Sequence, residues 1–273
     1  MASNLACIGI RVEAVSDLHW LIGEIMKVSK PTQRPDGRLE YRWEDPSGSR
    51  LSFALQNGEI SEFMPSFAGG TSLDLGRVIE ETDGIFVVDI LDSRGEIATR
   101  AGVDVHDLSA FRAWGSAAGV ARLTAFGVHL SIHENAEYFL ASEESLLSPE
   151  SSIEDGVVSR WAVESFMSFG GFGNDEPTAT AHLSGTVISA DRRIMELTGE
   201  SFVAARVRTS SFEVDLCFPS LPDVPVPIPG NVVTGIVYLV ATEVGDRSFE
   251  AVPRARASRQ TFDKAIRWLR GRR

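Results

Sequence analysis

The sequence predicts a mainly β, α+β protein: an N-terminal mixed β-α-β-β-β sheet domain, then a small closed or nearly closed β-barrel, then a C-terminal helix. Three observations carry this expectation. Strand-type alternation, bounded by Gly, Asn, Asp and Pro turn chemistry, recurs through most of the chain. Helical spacing is confined to a few stretches, of which SDLHWLIGEIMKVS and the C-terminal segment are the clearest. The composition, 43% apolar and 23% charged, is that of an ordinary globular chain that can bury a core without staples.

The elements follow in order. LACIGIRVEAV alternates, with Ile8, Ile10 and Val12 on one face, and reads as a strand. Ser16 or Asp17 can cap the helix that follows, in which Leu18, Leu21, Ile22, Ile25 and Met26 repeat at helical spacing. Leu39, Tyr41 and Trp43 alternate, DPSG turns the chain, Leu51, Phe53 and Leu55 alternate, and QNGE turns it again. Residues 71–133 continue as strands around the turns TDG and DSRG, interrupted by a short helix DLSAFRAW. NAEYFLASEESLL and VSRWAVESFMSF read as helices, on either side of the polar, acidic stretch SPESSIEDG. AHLSGTVISA, SFVAARVRTSSFEVDLCF and NVVTGIVYLVATEV are long Val-rich strands. No tandem repeat of fixed period is visible. At 273 residues the chain suits two domains. The expected division is a sheet domain at 1–147, a linker and connecting helix at 148–177, a barrel at 178–252 and a basic amphipathic helix at 253–273.

Charge is unevenly placed. The chain carries −12 overall, while residues 253–273 hold eight Lys or Arg and one acid, +7, which leaves −19 for the rest. An acidic body is a poor phosphate-binding surface, because Lys and Arg dominate nucleic-acid affinity. The two cysteines, Cys7 and Cys217, form no metal pattern, so a reduced cytoplasmic protein is the default. Only six residues precede Cys7, too few for the apolar core of a lipoprotein signal. The longest apolar run, VVTGIVYLVA, is about half the ~18–20 residues of a membrane span and reads as a buried strand.

Two partial resemblances appear. The β-α-β-β-β order of residues 5–67, with its DPSG hairpin, resembles one module of the glyoxalase/bleomycin-resistance (vicinal oxygen chelate) fold. That resemblance implies a metal held by inward-facing His and Glu, but the first strand offers Arg11 and Glu13 and no His. Residues 178–244, with LSGTV, ELTGESF and IPGNVVTGIVYLVAT, resemble an OB-type barrel, a fold that often binds single-stranded nucleic acid. This segment holds four Arg against seven acids, and its aromatics Phe202, Phe212, Phe218 and Tyr238 are spaced as core.

No residue pattern announces catalysis. His129 and His133 sit four apart in strand-like sequence, about 13 Å of chain, too far for two bonds of about 2.0–2.1 Å to one zinc. Glu134, Glu137, Glu143 and Glu144 read as a solvated helix face, GGFG as a hinge without the Lys-Ser/Thr of a phosphate loop, and Cys217 as a small core residue. Trp43 and Trp114, with Arg42 and Arg50, could form a binding face, although Trp43 alternates with core positions. No catalytic residue, metal ligand or cofactor is expected.

The C-terminal segment is the expected site. Ser258 can cap TFDKAIRWLRG, in which Phe262, Ile266 and Leu269 share one face while Arg259, Lys264, Arg267 and Arg270 take the rest. Such a basic amphipathic helix can dock on its own acidic body, in a groove of another subunit or partner protein, or on nucleic acid or anionic lipid. The function expected is therefore a non-catalytic binding or assembly role through protein–protein contacts, with self-association or a protein partner. The alternatives are a small-ligand binder or enzyme on the glyoxalase-like sheet, and single-strand binding by the barrel.

Overall fold

The computed structural model describes residues 3–34, 36–82, 84–106, 108, 111–112, 119–147, 159–169, 178–222 and 224–244. The molecule is mostly β, with one four-stranded sheet and one large mixed sheet. Among the described residues no helix is long and apolar enough to cross a membrane.

The first expected strand does not form. Ala6–Ile8 is a single 3-10 turn, closed by Gly9 at φ +78°. A Cβ on Gly9 would lie 3.0 Å from the Met195 side chain and 3.1 Å from the Glu200 carbonyl, so this bend must be glycine. Ile8 and Ile10 are buried all the same, because the turn inserts them into an apolar layer. Their alternation reported burial, not pairing. Helix α1 (Val15–Val28) buries Leu18, Leu21, Ile22 and Ile25, and Asp17 rather than Ser16 closes its start by accepting from the Glu13 and Ala14 N–H groups. The antiparallel sheet β1 (Thr32–Gln33), β2 (Leu39–Glu44), β3 (Ser49–Gln56), β4 (Glu59–Phe67) then follows in chain order. Asn57 at φ +55° and Gly58 at φ +81° form the two-residue turn between β3 and β4 that Asn-Gly specifies. With its leading strand missing, this layer is a helix on a four-stranded meander, not a β-α-β-β-β module.

The large sheet is built from two units of one pattern. In the first, β5 (Ser72–Thr82), β6 (Ile85–Leu91) and β7 (Ile97–Val105) form a meander, and β8 (Gly119–Phe126) returns antiparallel to β5. In the second, β11 (Thr180–Ile194), β12 (Ser201–Arg208) and β13 (Glu213–Pro219) form a meander, and β14 (Val232–Glu243) returns antiparallel to β11. Each third strand runs parallel to the other unit's fourth: β7 beside β14 and β13 beside β8. The two fourth strands pair antiparallel at the centre, with Val240 opposite Thr124. The eight strands thus form a ring divided by the β8–β14 pair, with a pseudo-twofold axis through the Val240–Thr124 position. The described strands of 178–244 do not close a barrel by themselves, because β8 stands between β13 and β14. Strands from both sides of residues 148–177 share this one sheet.

Two short strands complete it. β9 (Leu130–His133) continues the β8 side of β14, and β10 (Ser165–Ser168) pairs with β11. The helix expected over VSRWAVESFMSF is therefore a strand at Ser165–Ser168. It alternates, Phe166 packing edge-on against Phe212 at 5.0 Å while Met167 faces out. Helix α2 (Ala136–Ala141), capped by Asn135, is only six residues long, and a 3-10 turn at Glu143–Ser145 follows it.

One core fills the ring, with Leu75, Val88, Leu123, Leu183, Val207 and Leu239 among its members. A second joins the N-terminal layer to the outer faces of β12, β13 and β14 through Phe67, Phe202, Cys217 and Val240. Asp45, 3% exposed, fastens the two layers. Its carboxylate accepts from Ser47 N–H at 2.9 Å, from Glu196 N–H at 3.1 Å and from Leu197 N–H at 3.4 Å, the last two on the β11–β12 hairpin. Arg193 adds a bond to the Ser47 carbonyl at 3.0 Å and stacks its guanidinium on Phe67.

Candidate functional site

The residues nominated for docking, Arg259, Phe262, Lys264, Ile266, Arg267, Leu269 and Arg270, lie outside the described residues, as does Trp114. The remaining candidates can be placed. Trp43 is half-buried against the second core, and Arg42 and Arg50 reach Glu40 and Glu44 rather than an open face. Cys7 and Cys217, 210 residues apart by their numbers, meet in that core. Burial pushes both thiols up, and proximity to Cys7 raises Cys217 further, so neither is a thiolate near neutrality.

The sheet β1–β4 buries an ion cluster instead of a His and Glu metal set. Arg34, 2% exposed at its side chain, donates to Glu40 at 2.8 Å and to Glu62 at 2.5 Å, and Arg38 also pairs with Glu62. Burial alone would raise the fully buried Glu40 carboxyl. The Arg34 hydrogen bond and charge, with help from Arg42, outweigh that and hold it below the usual range. Arg11 and Glu13 lie ahead of α1, and Arg11 pairs with Glu200. Among the described residues no group of three His, Cys, Asp or Glu side chains could hold a metal.

A cleft of about 400 Å³ opens on the outer face of the ring. Its walls come from β9, the first half of β14, β11 and the turn after α2, with His129, Ser131, Glu144, His182, Leu221 and Thr234 on the lining. Two glycines let these strands meet. A Cβ on Gly235, at φ +151°, would lie 2.8 Å from the His129 carbonyl, and one on Gly127 would meet the Leu130 side chain at 2.6 Å. The β8-to-β9 bend therefore passes close beside β14 over bare backbone. His129 and His133 part company here. His129 lines the cleft, while His133, opposite Val232 at the far end of β9, packs against the edge of Phe139.

His182 anchors the cleft. It is the third residue of β11, between Met167 of β10 and Ile236 of β14 in one cross-strand row. Trp161 stacks on its ring with centroids 4.2 Å apart and planes 17° from parallel. Nε2 lies 3.3 Å from Thr234 Oγ1, while Nδ1 has no hydrogen-bond partner among the described residues. Burial lowers the pKa of His182, so the ring is neutral at physiological pH. On the opposite wall, Glu144 is held below the ordinary carboxylate range by its own backbone N–H, by the Ser142 hydroxyl, and by His133 and Ser131. No family model, curated protein or solved structure matches the chain. Chemistry must therefore be read from the geometry. Among the described residues no carboxylate lies on Nδ1 of the Thr234–His182 pair, the group that orients the ring where histidine activates a hydroxyl nucleophile.

What distinguishes this face is its rim. Met167 is 42% exposed, Phe169 42%, Ile236 51% and Leu221 53%, around a His182 that is only 9% exposed. Glu134, Glu137, Glu143 and Glu144 are exposed along β9, α2 and the turn beside it, with Tyr138 at 60%. An apolar row beside a run of acids is the surface chemistry of a contact site. His182, Trp161, Met167 and Ile236 were not singled out from the sequence. Ile236 sits in VVTGIVYLVA, where Val233, Val237, Leu239 and Val240 are buried on the two faces of the strand, and nothing in the run separates the one exposed position.

Proposed function

We propose that this chain is a non-catalytic binding or assembly protein that works through protein–protein contacts, with the basic C-terminal segment as a docking helix. The observation that carries the reading is the segregation of charge and apolar surface. Residues 253–273 hold +7 with Phe262, Ile266 and Leu269 at helical spacing, on a body of −19. The body supports it with an outer face where Met167, Ile236 and Leu221 stand exposed beside acids. Two buried free cysteines fit a reducing, cytoplasmic setting. A helix of about 12 residues is marginal alone, so the segment needs a surface to form on.

The test is capture from native lysate by the full chain and by a chain ending at residue 252, followed by identification and titration of what is retained. Retention by the full chain, with tail-dependent affinity for the purified partner, supports the reading. Equal affinity for the two chains, or no partner protein, overturns it. The small-ligand reading draws support from the 400 Å³ cleft around His182, which is lined by none of the residues of the sheet β1–β4.

A further inference from the structure

We propose that the chain's own segment 258–270 folds back across the outer face of β10, β11 and β14, setting its apolar side on Met167 and Ile236 and its Lys264 toward the acids beside the cleft. The inference rests on the reading of that segment as a docking helix and names its resting site. An outside partner then has to displace it.

Three independent features point to this occupant. The first is complementarity. Glu134, Glu137, Glu143 and Glu144 are exposed, and no described Lys or Arg forms an ion pair with them. The segment brings Arg259, Lys264, Arg267 and Arg270 around an apolar stripe of Phe262, Ile266 and Leu269. Opposite charges at the rim set register while the apolar centre supplies affinity. The second is an unmet polar need at the middle of the face. His182 is 9% exposed and its Nδ1 lacks a partner among the described residues, in the same cross-strand row as Met167 and Ile236. A buried ring nitrogen of this kind is normally satisfied, so among the described residues this row is incomplete. The third is reach. β14 ends at Glu243, seven residues from Ile236, a distance of about 23 Å along a strand. Residues 245–257 can span roughly 40 Å extended, so the segment reaches the face of its own chain. Such a tether holds it near millimolar effective concentration, above that of any second copy in dilute solution.

Lys264 is the only lysine after Lys30, which makes the contact addressable. Zero-length carbodiimide coupling of the full-length chain, run on a mixture of unlabelled and isotope-labelled protein, is read by mass spectrometry. The expected product joins Lys264 to Glu134, Glu137, Glu143 or Glu144 within single chains. Its yield falls about tenfold or more with Ile236→Asp and, separately, with Phe262→Asp, since each removes one buried apolar anchor. Phe262→Asp changes nothing among the described residues, so its effect is not a failure of the body to fold. Mixed-isotope products would show that a second copy is the occupant and overturn the proposal. So would coupling only to other acids, no coupling, or yields that both substitutions leave unchanged. None of these failures touches the docking reading itself, which is judged by tail-dependent affinity for another protein.

Discussion

Replacing Asp45 with alanine should separate the N-terminal layer from the ring. The carboxylate is 3% exposed and serves three backbone N–H groups, one in its own DPSG turn and two on the β11–β12 hairpin. Hydrogen bonds to a charged acceptor contribute about 1.5–3 kcal/mol each, and the local turn bond about 1 kcal/mol. Taking the lower figure for the two longer bonds gives a loss of about 4 kcal/mol. At about 2–4 °C per kcal/mol for chains of this size, Tm should fall by roughly 8–16 °C. Asp45→Asn keeps one acceptor oxygen without the charge and should lose about half as much. Urea unfolding followed by circular dichroism reads both, and a shift in midpoint at constant slope identifies a loss of stability. A loss under about 1 kcal/mol for the alanine variant, or equal losses for the two, would refute the clamp.

Three further outcomes follow from the same geometry. Arg34→Met leaves the buried Glu40 charge with only the more exposed Arg42 as partner and should cost about 3 kcal/mol at pH 7, measured by denaturant titration. The folded Glu40 carboxyl titrates below its unfolded value, so its contribution is complete above that value and is lost as pH falls through the folded one. The difference between wild type and Arg34→Met should therefore shrink in acid, and a difference independent of pH would contradict the assignment. Gly235→Ala places a Cβ 2.8 Å from the His129 carbonyl at φ +151°, and should destabilise by more than about 1 kcal/mol in thermal unfolding. In a chain ending at residue 252, Ile236→Asp changes an exposed position and should alter stability by no more than about 0.5 kcal/mol, which sets its effect on docking apart from folding.

How much of this was legible depends on which interaction specified each element. Local chemistry was readable. Asn57-Gly58 gave its turn, DPSG its hairpin, and the Leu18–Ile25 spacing its helix, because neighbours in sequence decide those conformations. Residues 5–14 misled because alternating Ile8 and Ile10 are buried by a turn, and burial leaves the same trace as a strand. Ser165–Ser168 misled in the other direction, since a four-residue strand is too short to show its period. The pseudo-twofold ring was invisible for a deeper reason. It is specified by which strand edges meet, β7 with β14 and β13 with β8, while only scattered side chains repeat: Asp104 and Asp215 match, but Thr124 and Val240 differ. The cleft combines residues from 128 to 235, and its members share no motif. The charge segregation needed no fold at all, and it still carries the functional reading.

The measurement that bears most directly on that reading is the equilibrium affinity of the captured partner for the full chain and for a full chain carrying Phe262→Asp and Leu269→Asp. Removing two apolar anchors of about 1.5–3 kcal/mol each should weaken binding by about 100-fold or more. A docking helix predicts that loss with the body still folded by circular dichroism. Affinity within about twofold of wild type, less than 0.5 kcal/mol, would show that the C-terminal segment is not what the partner recognises.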